Sequence, residues 1–369
     1  MAQSVESLYI HFPFCRHLCN YCDFYKKIPK SADDITPFEQ SLKKALKKHK
    51  TLFGKEHEWG ELKTLYIGGG TPSLWGKRGA LYLKELLDSE GIQLAKDGEF
   101  TLEVNPGTWN EEGLSAWQEF GINRYSLGVQ SLRADYLKIL DRVHSMDDVF
   151  DTLEYFNKKG HNFSVDFMLG LPWSEQKSRN VQEELTEILK YDPNHLSLYI
   201  LTAKGGYPYK DELPQDDYLE TEFLKVSDRL RSEGYEHYEV SNFAKKGKAS
   251  EHNLRYWRCE NVAALGASAV GFLKGPNLRY KWKVDGENYA EERLSSDELL
   301  LERIYMGLRI SDGINPSELF KEESKIEVQK LLYQWSDQEL GHGDWEHFTL
   351  TSKGYLILDT LVHKLFPYF

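Results

Sequence analysis

A chain of 369 residues with 40% hydrophobic and 28% charged residues can build a large core domain and a smaller appendage. No apolar run approaches the roughly 20 residues a membrane-spanning helix needs, and the opening MAQSVESLYIHF has no basic segment followed by an apolar one, so no secretory signal is expected. The net charge of −12 argues against a broad nucleic-acid surface, and four cysteines, three of them clustered, point to metal binding in a reducing cytoplasm rather than to disulfides.

In chain order, LYIHF (8–12) reads as a first strand, and ITPFEQSLKKALKKH (35–49) as a helix whose lysines form a solvated face. TLYIGGG (64–70) is a strand ending in glycines, followed by the helix ALYLKELLDSEG. FTLEVNPG (100–107) is a strand with a Pro-Gly stop, and EEGLSAWQEFG a helix that Gly121 can cap. RYSLGVQS (124–131), FSVDFMLGLP (163–172) and HLSLYILT (195–202) complete six strands, with SRNVQEELTEILKY a helix before the last. This alternation predicts parallel strands joined by right-handed crossovers. Polar residues and glycines gather at several strand ends, which favours a partial barrel over a doubly wound sheet. Beyond about residue 215 come a long helix, a stretch dense in aromatic, His and Asn residues, and a charged segment (285–296) that reads as a boundary before a small helical tail.

CRHLCNYCDF (15–24) sets Cys15, Cys19 and Cys22 in C-x3-C-x2-C spacing. A structural zinc site would need a fourth ligand, for which His11, His17 and Cys259 are the candidates. The other reading is a [4Fe-4S] cluster held by three thiolates with one iron left open; spacing favours the cluster and leaves both standing.

This spacing after the first strand, with a glycine run after the second, resembles the radical S-adenosylmethionine (SAM) superfamily. YIHFPFCRHLCNYCDF, GGGTPS, EVNPG, SLGVQS, DRVH, DFMLGLP, EVSNFAKKG and HNLRYW resemble, in order, the motifs of relatives of oxygen-independent coproporphyrinogen III dehydrogenase. They span residues 8 to about 272, and the tail resembles that family's C-terminal domain. The resemblance implies an α/β fold: a partial (β/α)6 barrel over 1–215, an α+β extension over 216–290 and a winged-helix-like domain over 291–369. It also implies a [4Fe-4S] cluster on Cys15, Cys19 and Cys22, with SAM on the open iron. Gly69, Gly70 and Thr71 would meet the methionine part of SAM and Glu103 its polar groups. Gln130, Arg142 and Asp166 match positions that line a second SAM site in the coproporphyrinogen enzyme, and Tyr9 and Tyr21 flank the cluster.

HNLRYW (252–257) resembles the H-N-x-x-Y-W signature of HemW-type haem chaperones, which implies His252 as an axial haem ligand with Tyr256 and Trp257 covering the porphyrin. The dehydrogenases carry a further cysteine where this chain has Phe24, and an N-terminal extension for which the first 14 residues leave little room. The expected function is therefore a cytoplasmic haem chaperone with haem as cargo and acceptor haem proteins, such as respiratory enzymes, as partners. The resemblance leaves room for a homodimer and for peripheral membrane association through a partner; no nucleic acid is expected. The alternatives are the dehydrogenase itself and a radical-SAM enzyme on another substrate. Glu251, Ala203-Lys204-Gly205-Gly206, Pro172-Trp173 and Asp141 depart from the family pattern.

Overall fold

In the computed structural model, which describes residues 2–368, the six apolar runs become six neighbouring parallel strands. They are β1 (Gln3–Phe12), β2 (His57–Gly69), β3 (Leu94–Val104), β4 (Arg124–Gln130), β5 (Phe163–Leu169) and β6 (His195–Ile200). Each pairs in parallel with the next, so spatial order follows chain order. The crossovers carry α1 (Ile35–Phe53), α2 (Gly76–Ser89), α3 (Glu111–Phe120), α4 (Ala134–Ile139), α5 (Met146–Lys158) and α6 (Val181–Leu189). Val5, Leu8, Ile10, Leu65, Ile67, Leu102, Leu127, Val165 and Leu196 are wholly buried in the core between strands and helices. Covered on both faces, such strands must be apolar almost continuously, which is why sequence alone shows them.

The first three strands start earlier than their apolar runs suggest. HEWGELK opens β2, yet it carries no alternation. It pairs with the start of β1 before register shifts at Val5/Ser7 and Leu62/Thr64 bring the apolar halves into line. In α1, Leu42, Ala45, Leu46 and His49 are buried while Lys43, Lys44, Lys47 and Lys50 stay exposed, so the basic run is a solvated face.

After β6, α7 (Asp216–Ser232) returns the chain to β7 (Glu236–Glu239) and β8 (Asn242–Ala244), and β8 pairs antiparallel with β6. The short helix α8 (Glu251–Trp257) follows, and β9 (Ala263–Leu265) adds in parallel to the far edge, against β1. Next comes an antiparallel sheet of β10 (Val270–Leu273), β11 (Leu278–Trp282) and β12 (Tyr289–Arg293). The charged segment 285–296 is thus largely a turn and an exposed edge strand, with Arg279 of β11 paired to Glu292 at 2.9 Å. Charged residues on an exposed edge hide a strand from any apolar pattern.

The tail folds as α9 (Ser296–Leu308), α10 (Pro316–Leu319), α11 (Lys325–Asp337), an antiparallel pair of β13 (Gly341–Gly343) and β14 (Phe348–Leu350), α12 (Ser352–Leu356) and α13 (Leu358–Leu365). Ser295 starts it with a capping box to Glu298. Ile304, Val328, Leu332, Trp335, Phe348 and Leu361 form a core separate from that of the barrel. Among the described residues no helix is long and apolar enough to cross a membrane.

Candidate functional site

The cysteine loop leaves β1 at Phe12. Its base is fixed by Phe12 and Phe14, which pack against each other and against Phe38, and by Phe12 stacked on Trp75 at 5.2 Å. Cys15 N–H donates to the Lys27 carbonyl (3.0 Å) and Lys27 N–H to that of Pro13 (2.7 Å), closing the loop. The glycine segment after β2 is laced to the same base: Gly70 N–H donates to the Phe12 carbonyl (2.7 Å) and Thr71 N–H to that of Phe14 (2.8 Å). A Cβ on Gly70 would lie 2.6 Å from the Phe14 carbonyl oxygen, and Gly69, at φ +110°, would put one 2.5 Å from the His11 ring. Glycine is therefore demanded by close approach at one position and by conformation as well at the other.

Cys15, Cys19 and Cys22 are free thiols lining one small cavity with Gly69, Gly70, Thr71 and Arg142. Burial pushes the Cys15 and Cys19 thiols up; a Thr71 hydrogen bond opposes this at Cys15, and the Arg142 guanidinium does so at Cys19. The extra ligands that a zinc site would need are engaged elsewhere. His11 Nε2 bonds the Tyr25 carbonyl at 2.7 Å, His17 pairs with Asp141 at 2.8 Å, and Cys259 packs with Phe272 and Leu294. Among the described residues no three His, Cys, Asp or Glu side chains converge on a single ion. Three thiols around one hollow, with no fourth protein ligand beside them, fit a group that leaves one position open.

This hollow opens into a cavity of about 320 Å³ inside the barrel mouth, the two sharing Tyr21, Cys22, Gly69, Gly70, Thr71, Asn105 and Arg142. Glu103, Gln130 and Asp166 line the larger cavity too. Glu103 accepts hydrogen bonds from Gly69 N–H and the Tyr66 hydroxyl, both at 3.0 Å. Burial, then the nearby Asp166 charge, raises it to about 7. Asp166 accepts from the Ser126 hydroxyl at 3.0 Å and is raised to about 6 by burial, with Ser197 and Ser126 opposing. Two buried carboxyls sharing one hollow favour a ligand that brings positive charge. Arg142 donates to Asn105 Oδ1 (2.8 Å), the Gly128 carbonyl (2.7 Å) and the Tyr21 hydroxyl (3.4 Å), and so ties β3, β4 and the cysteine loop together. Gln130 holds a left-handed φ of 69°.

Eight of the expected cofactor residues thus surround one cavity; Tyr9 and His252 lie outside it. Tyr9 bonds His11 Nδ1 at 3.1 Å. His252 sits in α8, behind Tyr66, which lines the cavity: its ring centroid is 5.3 Å from that of Tyr66 and 6.4 Å from that of Tyr9. It is 1% exposed, and its Nδ1 meets the Thr64 hydroxyl at 2.9 Å, while Nε2 is buried without a partner. Burial, then the Arg124 charge, pulls it down to about 3, so it is neutral at pH 7. In the tautomer protonated at Nδ1, with that N–H donating to the Thr64 hydroxyl, the Nε2 lone pair would be free, as a metal ligand requires. Asn105, Tyr66 and Thr64 join the site without having stood out in the sequence. Asn105 donates to the Thr71 hydroxyl at 3.0 Å, and its place in EVNPG was the available signal. For Thr64 there was none, since its partner lies 188 residues away.

Fold and loop define a radical-SAM-type barrel with three cysteines at its mouth. A model of the Radical SAM superfamily matches residues 9–199. The heme chaperone HemW of Lactococcus lactis is 31% identical over 99% of this chain and 98% of that protein. Its namesake from Bacillus subtilis is 32% identical over 96% and 97%. Among solved structures, coproporphyrinogen III oxidase (HemN) from Escherichia coli has a TM-score of 0.80 over 97% of this chain and 89% of that one, at 20% identity, a likeness of fold. The chain belongs to the radical SAM superfamily, in its HemN/HemW-like group. That family implies a [4Fe-4S] cluster and SAM, and the three-thiol hollow opening on a glycine-edged, acid-lined cavity fits both.

Proposed function

We propose that the chain is a haem chaperone: it binds one haem and passes it to an acceptor haem protein, such as a respiratory enzyme. The observation that carries this reading is near end-to-end similarity, at 31–32% identity, to two proteins named heme chaperone. Phe24 supports it. Where the dehydrogenases carry another cysteine, this side chain stands 66% exposed at the cavity rim and offers no further thiol.

Cys15, Cys19 and Cys22 hold the cluster, and Arg142 beside Cys19 favours the thiolate. A bound cluster with SAM supplies one-electron chemistry at the barrel mouth. Gly69 and Gly70 would let the backbone approach the methionine part of SAM, Glu103 would meet its polar groups, and Tyr21 would close the rim. Gln130, Arg142 and Asp166 would meet a second SAM in the same cavity. On the opposite side His252, kept neutral and oriented by Thr64, donates Nε2 to haem iron, with Tyr256 and Trp257 as porphyrin-facing aromatics. Because Nε2 is enclosed, α8 must shift before haem can reach it.

An anaerobic turnover assay separates this from porphyrinogen oxidation. Reconstituted protein is given SAM, a low-potential reductant and coproporphyrinogen III, with an authentic dehydrogenase as control. The proposal expects no decarboxylated product while the control works; product above background would overturn it.

A further inference from the structure

α8 is held between two bodies. At its start, Glu99 of β3 accepts hydrogen bonds from the backbone N–H groups of Glu251 (3.1 Å) and His252 (3.0 Å), pinning it to the barrel floor. At its end the contacts come from the segment that follows α9. The Arg309 guanidinium lies over the Trp257 indole, 4.2 Å from its centroid, and pairs at 3.1 Å with Glu239, which is fully buried. Arg258 pairs with Asp312 at 2.8 Å. Leu254 and Trp257 pack with Tyr238 and Ile310. Residues 309–311 are tied to β7 and its end by Val240 N–H to the Arg309 carbonyl (3.1 Å) and Ser311 N–H to the Tyr238 carbonyl (2.9 Å).

A helix of seven residues does not persist on its own hydrogen bonds, so what clasps it decides where it sits. On its open side runs a polar groove of about 540 Å³, lined by Thr64, Glu99, Lys248, Glu251 and Arg255. The groove reaches Thr64, the hydrogen-bond partner of His252, yet the imidazole Nε2 stays buried and unpartnered. An orphaned buried nitrogen opposes the closed arrangement. The clasp on α8 holds against it.

We infer that Arg309 is a positioning residue of the haem site: stacked on Trp257, it keeps α8 closed over the barrel floor, and loosening that contact frees His252 for haem iron. The inference rests on the proposed role of His252 as haem ligand. Arg309 touches no haem atom; it acts through Trp257, and the C-terminal unit to which it leads thereby gates the site from the polar groove.

The test uses the full chain with Arg309→Lys, which keeps a cation against Glu239 and loses the flat guanidinium on the indole. Amide exchange over residues 251–258 and the rate of hemin association are both measured. Each is expected to rise roughly tenfold, the ratio that about 1.4 kcal/mol represents. A second variant, Arg309→Met with Glu239→Gln, removes both charges together and leaves no unpaired buried ion; it should show the same rise. Unchanged exchange in both variants overturns the inference. Faster exchange with unchanged hemin association leaves the clasp standing and overturns the reading of His252 as the ligand.

Discussion

Replacing Gly70 by Ala tests whether the glycine segment and the cysteine loop act as one unit. The added methyl would meet three backbone atoms: the Phe14 oxygen at 2.6 Å, the Phe12 oxygen at 2.9 Å and the Phe14 nitrogen at 2.9 Å. Ordinary contact begins at 3.4 Å, so the nearest gap must open by roughly 0.8 Å, and backbone cannot swing aside as a side chain can. Both accepting carbonyls also take the lacing hydrogen bonds from Gly70 and Thr71. The strain falls on the residue directly before Cys15. Overpacking of this kind costs about 1–3 kcal/mol, and here its outlet is displacement of a cluster ligand. After anaerobic reconstitution, iron and sulfide should fall well below wild type, with a lower urea midpoint. Gly205→Ala is the control, since nothing lies within 4 Å of a Cβ there. Full cluster content and an unchanged midpoint in Gly70→Ala would refute the reasoning.

Cys19→Ala should abolish the broad iron–sulfur absorbance, and normal iron and sulfide in that variant would exclude the cluster assignment. Thr64→Val removes the partner of His252 Nδ1 while keeping the shape; about 1 kcal/mol of stability should go, together with a changed haem absorption spectrum, and an unaltered spectrum would show that Thr64 does not orient the ligand. Phe24→Cys should fold as well as wild type, because the side chain is 66% exposed, and should gain no coproporphyrinogen turnover; turnover in this variant would show that one thiol separates the two activities. Among the described residues eight histidines lie below their ordinary range, chiefly through burial, against four carboxyls raised by burial. His49, at about 4, and His237, at about 3, stay neutral in the fold while the unfolded chain protonates them below pH 6.5. Their stabilisation is complete above that pH and fades as pH falls, by up to about 1.4 kcal/mol per pH unit for each group. Glu103 and Asp166 oppose this, holding protons up to about 7 and about 6. The histidines outnumber them, so the urea midpoint should be lower at pH 5 than at pH 7; an equal or higher midpoint would contradict the assignment of these groups as neutral.

The six parallel strands could be read from sequence because strands covered on both faces leave apolar runs, as in LYIHF and FSVDFML. Their C-terminal ends carry Gly69, Glu103, Gln130 and Asp166, so the cavity could be anticipated from strand ends before any distance was known. What stayed hidden has a physical reason in each case. The opening half of β2 mixes buried His57 and Leu62 with exposed Glu58, Glu61 and Lys63 in no regular alternation, and β12 is an exposed edge. Tyr66 and Thr64 occupy successive same-face positions of β2, yet one turns to Glu103 and the cavity and the other to His252 below. That division depends on where α8 docks, which no local pattern encodes. The enclosure of His252 was invisible for the same reason: H-N-x-x-Y-W marks the residue, while Glu99 and Arg309, distant in sequence, determine that it is shut.

The measurement that bears most directly on the account is an anaerobic hemin titration of the reconstituted wild-type chain beside His252→Ala. Saturation at one haem per wild-type chain is expected, with weakened binding and an altered spectrum in the variant. Failure of the wild type to bind haem, or identical affinity and spectrum in the two proteins, would contradict it.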